Sequence, residues 1–210
     1  MSKDESAAKT GFERKWIIFW AVSITSLVLD QASKIWARGS LPVHPHPCDI
    51  PADIIARKCG GLPVQVIDGF WDWRLSMNPG SAFGLFGGLG PSVTRILLSF
   101  VGIGAVIGMV YMLRKSRPDQ KILHWALALV AGGAVGNLID RIYYSVVTDF
   151  VLWKYHGHEW PVFNVADVVL VVGVGLMFID IQRENKREKV SRKDRQAKAK
   201  AAGLVKDLRE

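Results

Sequence analysis

Apolar residues gather into four long runs, at residues 16–36, 92–113, 122–144 and 163–181, each interrupted by few charges. Roughly 20 residues rising ~1.5 Å each cross the ~30 Å hydrocarbon core of a bilayer, so each run predicts one transmembrane helix. Between the first two runs the period changes. Trp71, Trp73, Leu75 and Met77 alternate with Asp72, Arg74 and Ser76, and Val64 and Val66 repeat the spacing before Asp68-Gly69. A period of two belongs to strands and Asp-Gly to turns, which predicts a small sheet beside the membrane. The expected fold is an α-helical integral membrane protein with four transmembrane helices and a small extracytoplasmic β-sheet.

Charge orients these spans. Half of the residues are hydrophobic, yet the net charge is +8, and the cations are sorted into short stretches. Lys3, Lys9, Arg14 and Lys15 precede the first run, Arg114, Lys115, Arg117 and Lys121 join the second to the third, and residues 183–209 are richer still. The two remaining links are poor in cations for their length. Cytoplasmic segments carry the Lys/Arg excess, so both termini are expected in the cytoplasm. Trp16, Trp36, Trp125, Trp153 and Trp160 fall near span ends, as interfacial aromatics do. The basic start followed by an apolar run resembles a signal peptide, but it lacks a small-residue cleavage site and is too long, so an uncleaved span is expected. The organisation is then a cytoplasmic segment 1–15, a membrane domain 16–182 that includes an external segment 37–91, and a basic tail 183–210. The tail reads as a frayed helix or a disordered segment that sets topology and attracts membrane lipid, in preference to nucleic acid.

The external segment opens with three prolines between Leu41 and Cys48, which favour extended chain. Cys48 and Cys59 both lie in it, and an oxidising compartment leaves open a disulfide or two free thiols. The spacing of His44, His46, Cys48 and Cys59 fits no standard zinc pattern, so no metal is expected, and no cofactor motif is present.

Three aspartates carry the candidate chemistry. Asp140 and Asp167 stand within membrane-length runs, and Asp149 within the apolar stretch 146–151. An acid at the centre of a membrane helix costs roughly 2.5–3.5 kcal/mol unless it faces protein groups or water. Counting along alternating spans puts Asp140 some ~27 Å into the third and Asp167 about one turn into the fourth, both near the outer edge. Asp149 follows the third span on that same side. Asp30 and Lys34 share a face in the outer half of the first span. Two acids held close share a proton: one can activate water while the other polarises a carbonyl, without a metal. Arg141 beside Asp140 favours a fixed ion pair there, whereas Asp149 and Asp167 have no adjacent cation, which makes them the better pair. Each group also has a plain structural reading. Asn164 three residues before Asp167 is a helix cap with an acid in the first turn, Asn137 and Asp140 share one helix side, and Asp149 alone reads as an exposed loop acid. Their common depth favours one functional site. Residues 78–84, Asn-Pro-Gly-Ser-Ala-Phe-Gly, read as a tight loop, and Gly132, Gly133 and Gly136 as a helix-packing face.

Together, the segments Asp30-Gln31-Ala32-Ser33-Lys34, Asn78-Pro79-Gly80-Ser81-Ala82-Phe83, Gly132 to Arg141, Val147-Thr148-Asp149-Phe150 and Phe163-Asn164-Val165-Ala166-Asp167 resemble bacterial lipoprotein signal peptidase, or signal peptidase II, in order and spacing. The resemblance implies an inner-membrane aspartic peptidase that removes the signal peptide from prolipoproteins, cutting before a diacylglyceryl-modified cysteine. It implies Asp149 and Asp167 as the catalytic pair. It implies that Asn137, Asp140 and Arg141 line and brace the site, that Asn164 orients the pair or binds substrate backbone, and that Asp30, Lys34, Asn78 and Gly80 support it. The chain is expected to act as a monomer. Departures are a longer segment 42–61, Pro79, and the basic tail. Two other classes remain as alternatives. A small proton-coupled transporter or channel subunit would use the acids as relays, but needs polar groups spread through the membrane depth, whereas these gather at one edge. A non-enzymatic assembly factor would tolerate Asp149→Asn.

Overall fold

The computed structural model describes residues 3–43, 60–80 and 90–201. Cys48, Cys59, His44, His46 and residues 81–84 of the loop motif lie outside them. Four helices follow the apolar runs: α1 (Lys3–Ser40), α2 (Pro91–Lys115), α3 (Lys121–Tyr143) and α4 (Val165–Ala201). All four are long and apolar enough to cross a membrane. The fourth begins two residues later than its apolar run, because Phe163 is held outside it by pairing with Val151. The basic tail is helical as far as Ala201, continuing α4 without a break.

Helix ends follow local chemistry. Gly90 has φ 76°, a left-handed conformation that suits glycine, and Pro91 then occupies the first helical position, where no N–H is needed. At the other end of α2, Lys15 Nζ donates to the carbonyls of Arg114 (3.2 Å) and Ser116 (2.9 Å), so a cation meets the negative end of the helix. Phe19, Leu113, Leu123, Leu127, Ala128 and Ala131 close that end of the bundle.

Helix α3 sits in the middle, packed on α1, α2 and α4. Its glycines are what allow this. A Cβ on Gly132 would lie 2.7 Å from the Ser23 carbonyl of α1, and one on Gly133 would lie 2.7 Å from the Ala166 carbonyl of α4. Close backbone approach through small residues drives association in lipid, where burial of apolar side chains gains nothing. Helices α2 and α4 instead expose rows such as Ile96, Phe100 and Ile107, or Val171, Val174 and Phe178. These are surfaces suited to hydrocarbon.

The sheet has four antiparallel strands in the order β1-β2-β3-β4: β1 (Val64–Ile67), β2 (Trp71–Asn78), β3 (Val147–Tyr155) and β4 (His158–Glu159). The first two lie where the period-two reading of the sequence placed strands. Strand β3 is an addition to it, since the stretch holding Asp149 pairs along β2, with Ser76 opposite Asp149 and Asn78 opposite Val147. The ladder breaks between Trp73 and Ser76, so the simple alternation along β2 fails. Asp72 is buried and paired with Lys154 rather than facing solvent. A hairpin turns at His156 and Gly157, both with positive φ, into β4. Ala37 and Leu41 at the end of α1 pack with Leu75 and Phe150 under the sheet, fixing it to the bundle.

Candidate active site

Asp149 stands on β3 and is 2% exposed, so the reading of it as an open loop acid is overturned. Two side-chain amides hold its carboxylate. Asn164 Nδ2 donates to Oδ1 at 2.7 Å, and Asn78 Nδ2 to Oδ2 at 3.1 Å. The Gly80 backbone N–H donates to Asn78 Oδ1 (3.0 Å), which turns the Asn78 amide nitrogen towards Asp149.

Asp167 occupies the first turn of α4. The Asp167 N–H donates to Asn164 Oδ1 (3.0 Å) and the Asn164 N–H donates to Asp167 Oδ2 (3.2 Å), a reciprocal cap of two otherwise orphaned donors. The structural reading of this pair is therefore correct. The same Asn164 also reaches Asp149, so one cap residue joins both acids. The other Asp167 oxygen accepts from Asn137 Nδ2 at 3.0 Å.

Behind the pair lies a buried ionic lattice. Lys34 Nζ is fully buried, 3.0 Å from Asp30 Oδ2 and 3.4 Å from Asp140 Oδ2, and donates to Asn137 Oδ1 at 2.8 Å. That contact orients the Asn137 amide, because an oxygen held by an ammonium leaves the NH2 facing Asp167. Asp30 Oδ1 accepts the Ala166 N–H at 2.9 Å, linking α1 to the start of α4. A side chain on Gly136 would run into the Asp30 carboxylate, so this glycine is a requirement of the site as well as of packing.

Asp140 forms its ion pairs with Lys34 and with Arg38 (3.4 Å), and accepts the Thr148 N–H at 2.8 Å. The fixed pair expected at Asp140 exists, but its cations come from α1 and not from the neighbouring Arg141. Arg141 instead donates to the Asn137 carbonyl (3.2 Å) and lines the cleft that holds the two acids. Sequence reasoning missed Arg38 and Thr148. Arg38 bonds Thr148 Oγ1 at 2.7 Å, and its place one helical repeat beyond Asp30 and Lys34 was the available signal.

The cleft holds about 1260 Å³ and runs from Arg74 and Trp160 at the sheet, past Asn78, Asp149 and Asp167, to Val168 and Val172 on α4. Burial pushes the Asp149 carboxyl up to about 8, and the nearby charge of Asp167 adds to the rise. The amides of Asn78 and Asn164 and the charge of Lys34 pull the other way. The arrangement can keep one carboxyl protonated beside an ionised one at neutral pH, which is the requirement for splitting water against an amide carbonyl.

The comparisons with known proteins point to the same class. Over 80% of this chain and 90% of the other, the fold matches a solved bacterial membrane enzyme with a TM-score of 0.65 at 24% identity. A sequence profile described as signal peptidase (SPase) II matches residues 22–183. The lipoprotein signal peptidase of Geobacter sulfurreducens is 38% identical over 175 residues, 81% of this chain and 95% of that one. That of Polynucleobacter necessarius is 36% identical over 159 residues, 76% and 85%. The family match and these relatives make the chain a membrane aspartic endopeptidase. The chain belongs to the signal peptidase II family, and the transporter reading is not favoured.

Proposed function

We propose that this protein removes signal peptides from prolipoproteins by cutting before a diacylglyceryl-modified cysteine, with Asp149 and Asp167 as the catalytic pair. The observation that carries this reading is Asn164, whose side chain and backbone bond both carboxylates in one cleft. Asp149 carries the shared proton and Asp167 is ionised. Asp167 takes a proton from water as the water oxygen bonds to the scissile carbonyl carbon, and Asp149 gives its proton to the carbonyl oxygen. The tetrahedral diol then collapses. One hydroxyl proton returns to Asp149, the proton on Asp167 passes to the cysteine nitrogen, and the C–N bond breaks. Proton transfer of this kind is worth roughly 10²–10⁴-fold in rate.

Asn137 and Asn164 hold the two carboxylates, Arg141 steadies developing negative charge in the cleft, and Asn78, positioned by Gly80, stabilises Asp149 when it ionises. Asp30, Lys34 and Asp140 position these amides. The cation pattern supports cytoplasmic termini and a site at the outer leaflet, where acyl chains remain in lipid while the scissile bond enters between helices. Residues 184–210 of the tail lie beyond the region matched to the family, and a single chain suffices for the chemistry. The test is mass analysis of products from a diacylated precursor and its unlipidated twin, incubated with purified protein and a chelator. A single cut before the lipidated cysteine, absent from the twin, is expected. Equal cutting of both, or a cut elsewhere, refutes the reading.

A further inference from the structure

The dyad and its amides account for only part of the cleft lining, and the sheet side carries a cation that this chemistry does not need. Among the described residues the charged groups lining the cleft are Arg74, Arg141, Asp149 and Asp167. With one proton shared by the two acids, these sum to one net positive charge. Arg141 sits beside the acids. Arg74 is the unbalanced group on the sheet side.

Its partner does not cancel it from within the cleft. Arg74 Nη1 is 3.0 Å from Glu159 Oε2, but Glu159 stands on β4 and is not part of the lining. Their side chains are 32% and 46% exposed, so the pair is weakly held and the guanidinium can exchange partners at little cost. The other nearby cation, Lys154, is committed to the buried Asp72. Arg74 also falls inside the break in the β2–β3 ladder between Trp73 and Ser76, and such irregularities re-aim a side chain beside an active site. Gly61 covers the same break. Its N–H donates to the Leu75 carbonyl at 2.8 Å, and no larger residue fits there.

Register sets the distance. Ser76 lies opposite Asp149 and Trp73 opposite Val151, so the whole bulged stretch spans about 7 Å and Arg74, inside it, is nearer than that to Ser76 along the strand. An extended peptide advances one or two residues over that length. The signal peptide stays on the membrane side, so the peptide beside the sheet is the part retained after the cut.

We propose that Arg74 is a specificity-determining residue that selects an acidic side chain at the first or second position after the lipidated cysteine. This rests on the reading of the substrate given above. It also assigns Glu159 a role, as the internal carboxylate that the substrate's carboxylate displaces.

The experiment measures kcat/KM for diacylated precursors that carry Asp, Ser or Lys at each of those two positions. Wild type should favour Asp over Lys by about fivefold at one of them, the size of an exposed ion pair, and added salt should erode the difference. Arg74→Gln should flatten the series and Arg74→Glu should invert it. Glu159→Gln should widen it, a response that loss of a merely structural ion pair would not produce. Equal kcat/KM across the wild-type series overturns this inference and leaves the peptidase reading standing. Failure to cut any of the precursors overturns both.

Discussion

Burial and the charge of Asp167 oppose ionisation of Asp149, and Asn78 and Asn164 favour it, because each donates an amide N–H to its carboxylate. The folded carboxyl is raised to about 8, so the pair keeps its proton below that pH and loses it above. The kcat/KM profile should therefore fall on the alkaline side with an apparent pKa near 8. Asn78→Ala removes a donor that favours the ionised form, so it should move that limb to higher pH. A limb that moves down, or does not move, would show that Asn78 does not act through this bond. Lys34 works at one remove. It touches neither acid of the pair, but orients Asn137 and neutralises part of the charge of Asp30 and Asp140.

At the scale of elements, the site depends on how closely α3 can approach its neighbours. Gly133 has no room for a Cβ, which would sit 2.7 Å from the Ala166 carbonyl and against Leu170 and Val169, whereas Gly104 on α2 has nothing within 4 Å. Gly133→Leu should cost about 1–3 kcal/mol or more and lower the melting temperature in detergent, with Gly104→Ala as the harmless control. Equal melting for the two variants would contradict the packing described. Much of this level is legible in sequence. Long apolar runs announce α1 to α4, and the period of two announces β1 and β2. Strand β3 escaped because its inner residues Val147, Thr148, Asp149 and Phe150 are all buried, leaving no alternation to detect. The site was legible as a set of residues at one depth. Its wiring was not, because the cations of Asp140 come from α1, about a hundred residues away in the chain.

On the scale of the whole molecule, three layers meet at the cleft: a lipid-facing bundle, a buried lattice of Asp30, Lys34, Arg38 and Asp140, and the sheet. At the far end, Arg117, Asp119, Glu184 and Arg187 tie the α2–α3 turn to the helical tail. These pairs are exposed and contribute little stability each. The lattice and the pair thus have different duties, and substitution separates them. Removing one partner of a buried ion pair costs roughly 3–5 kcal/mol, so Asp140→Asn should act mainly by loosening the fold. Asp149→Asn replaces a buried acid with an isostere whose oxygen keeps one of the two amide contacts, and with no buried charge left unpaired it should leave the fold intact. The decisive measurement is the turnover of a diacylated precursor by folded Asp149→Asn and Asp167→Asn proteins, normalised to wild type with the same melting profile. Loss of turnover by about 10³-fold or more in both is the result this account predicts. Near-normal turnover by either folded variant would contradict it and move the chemistry to another acid.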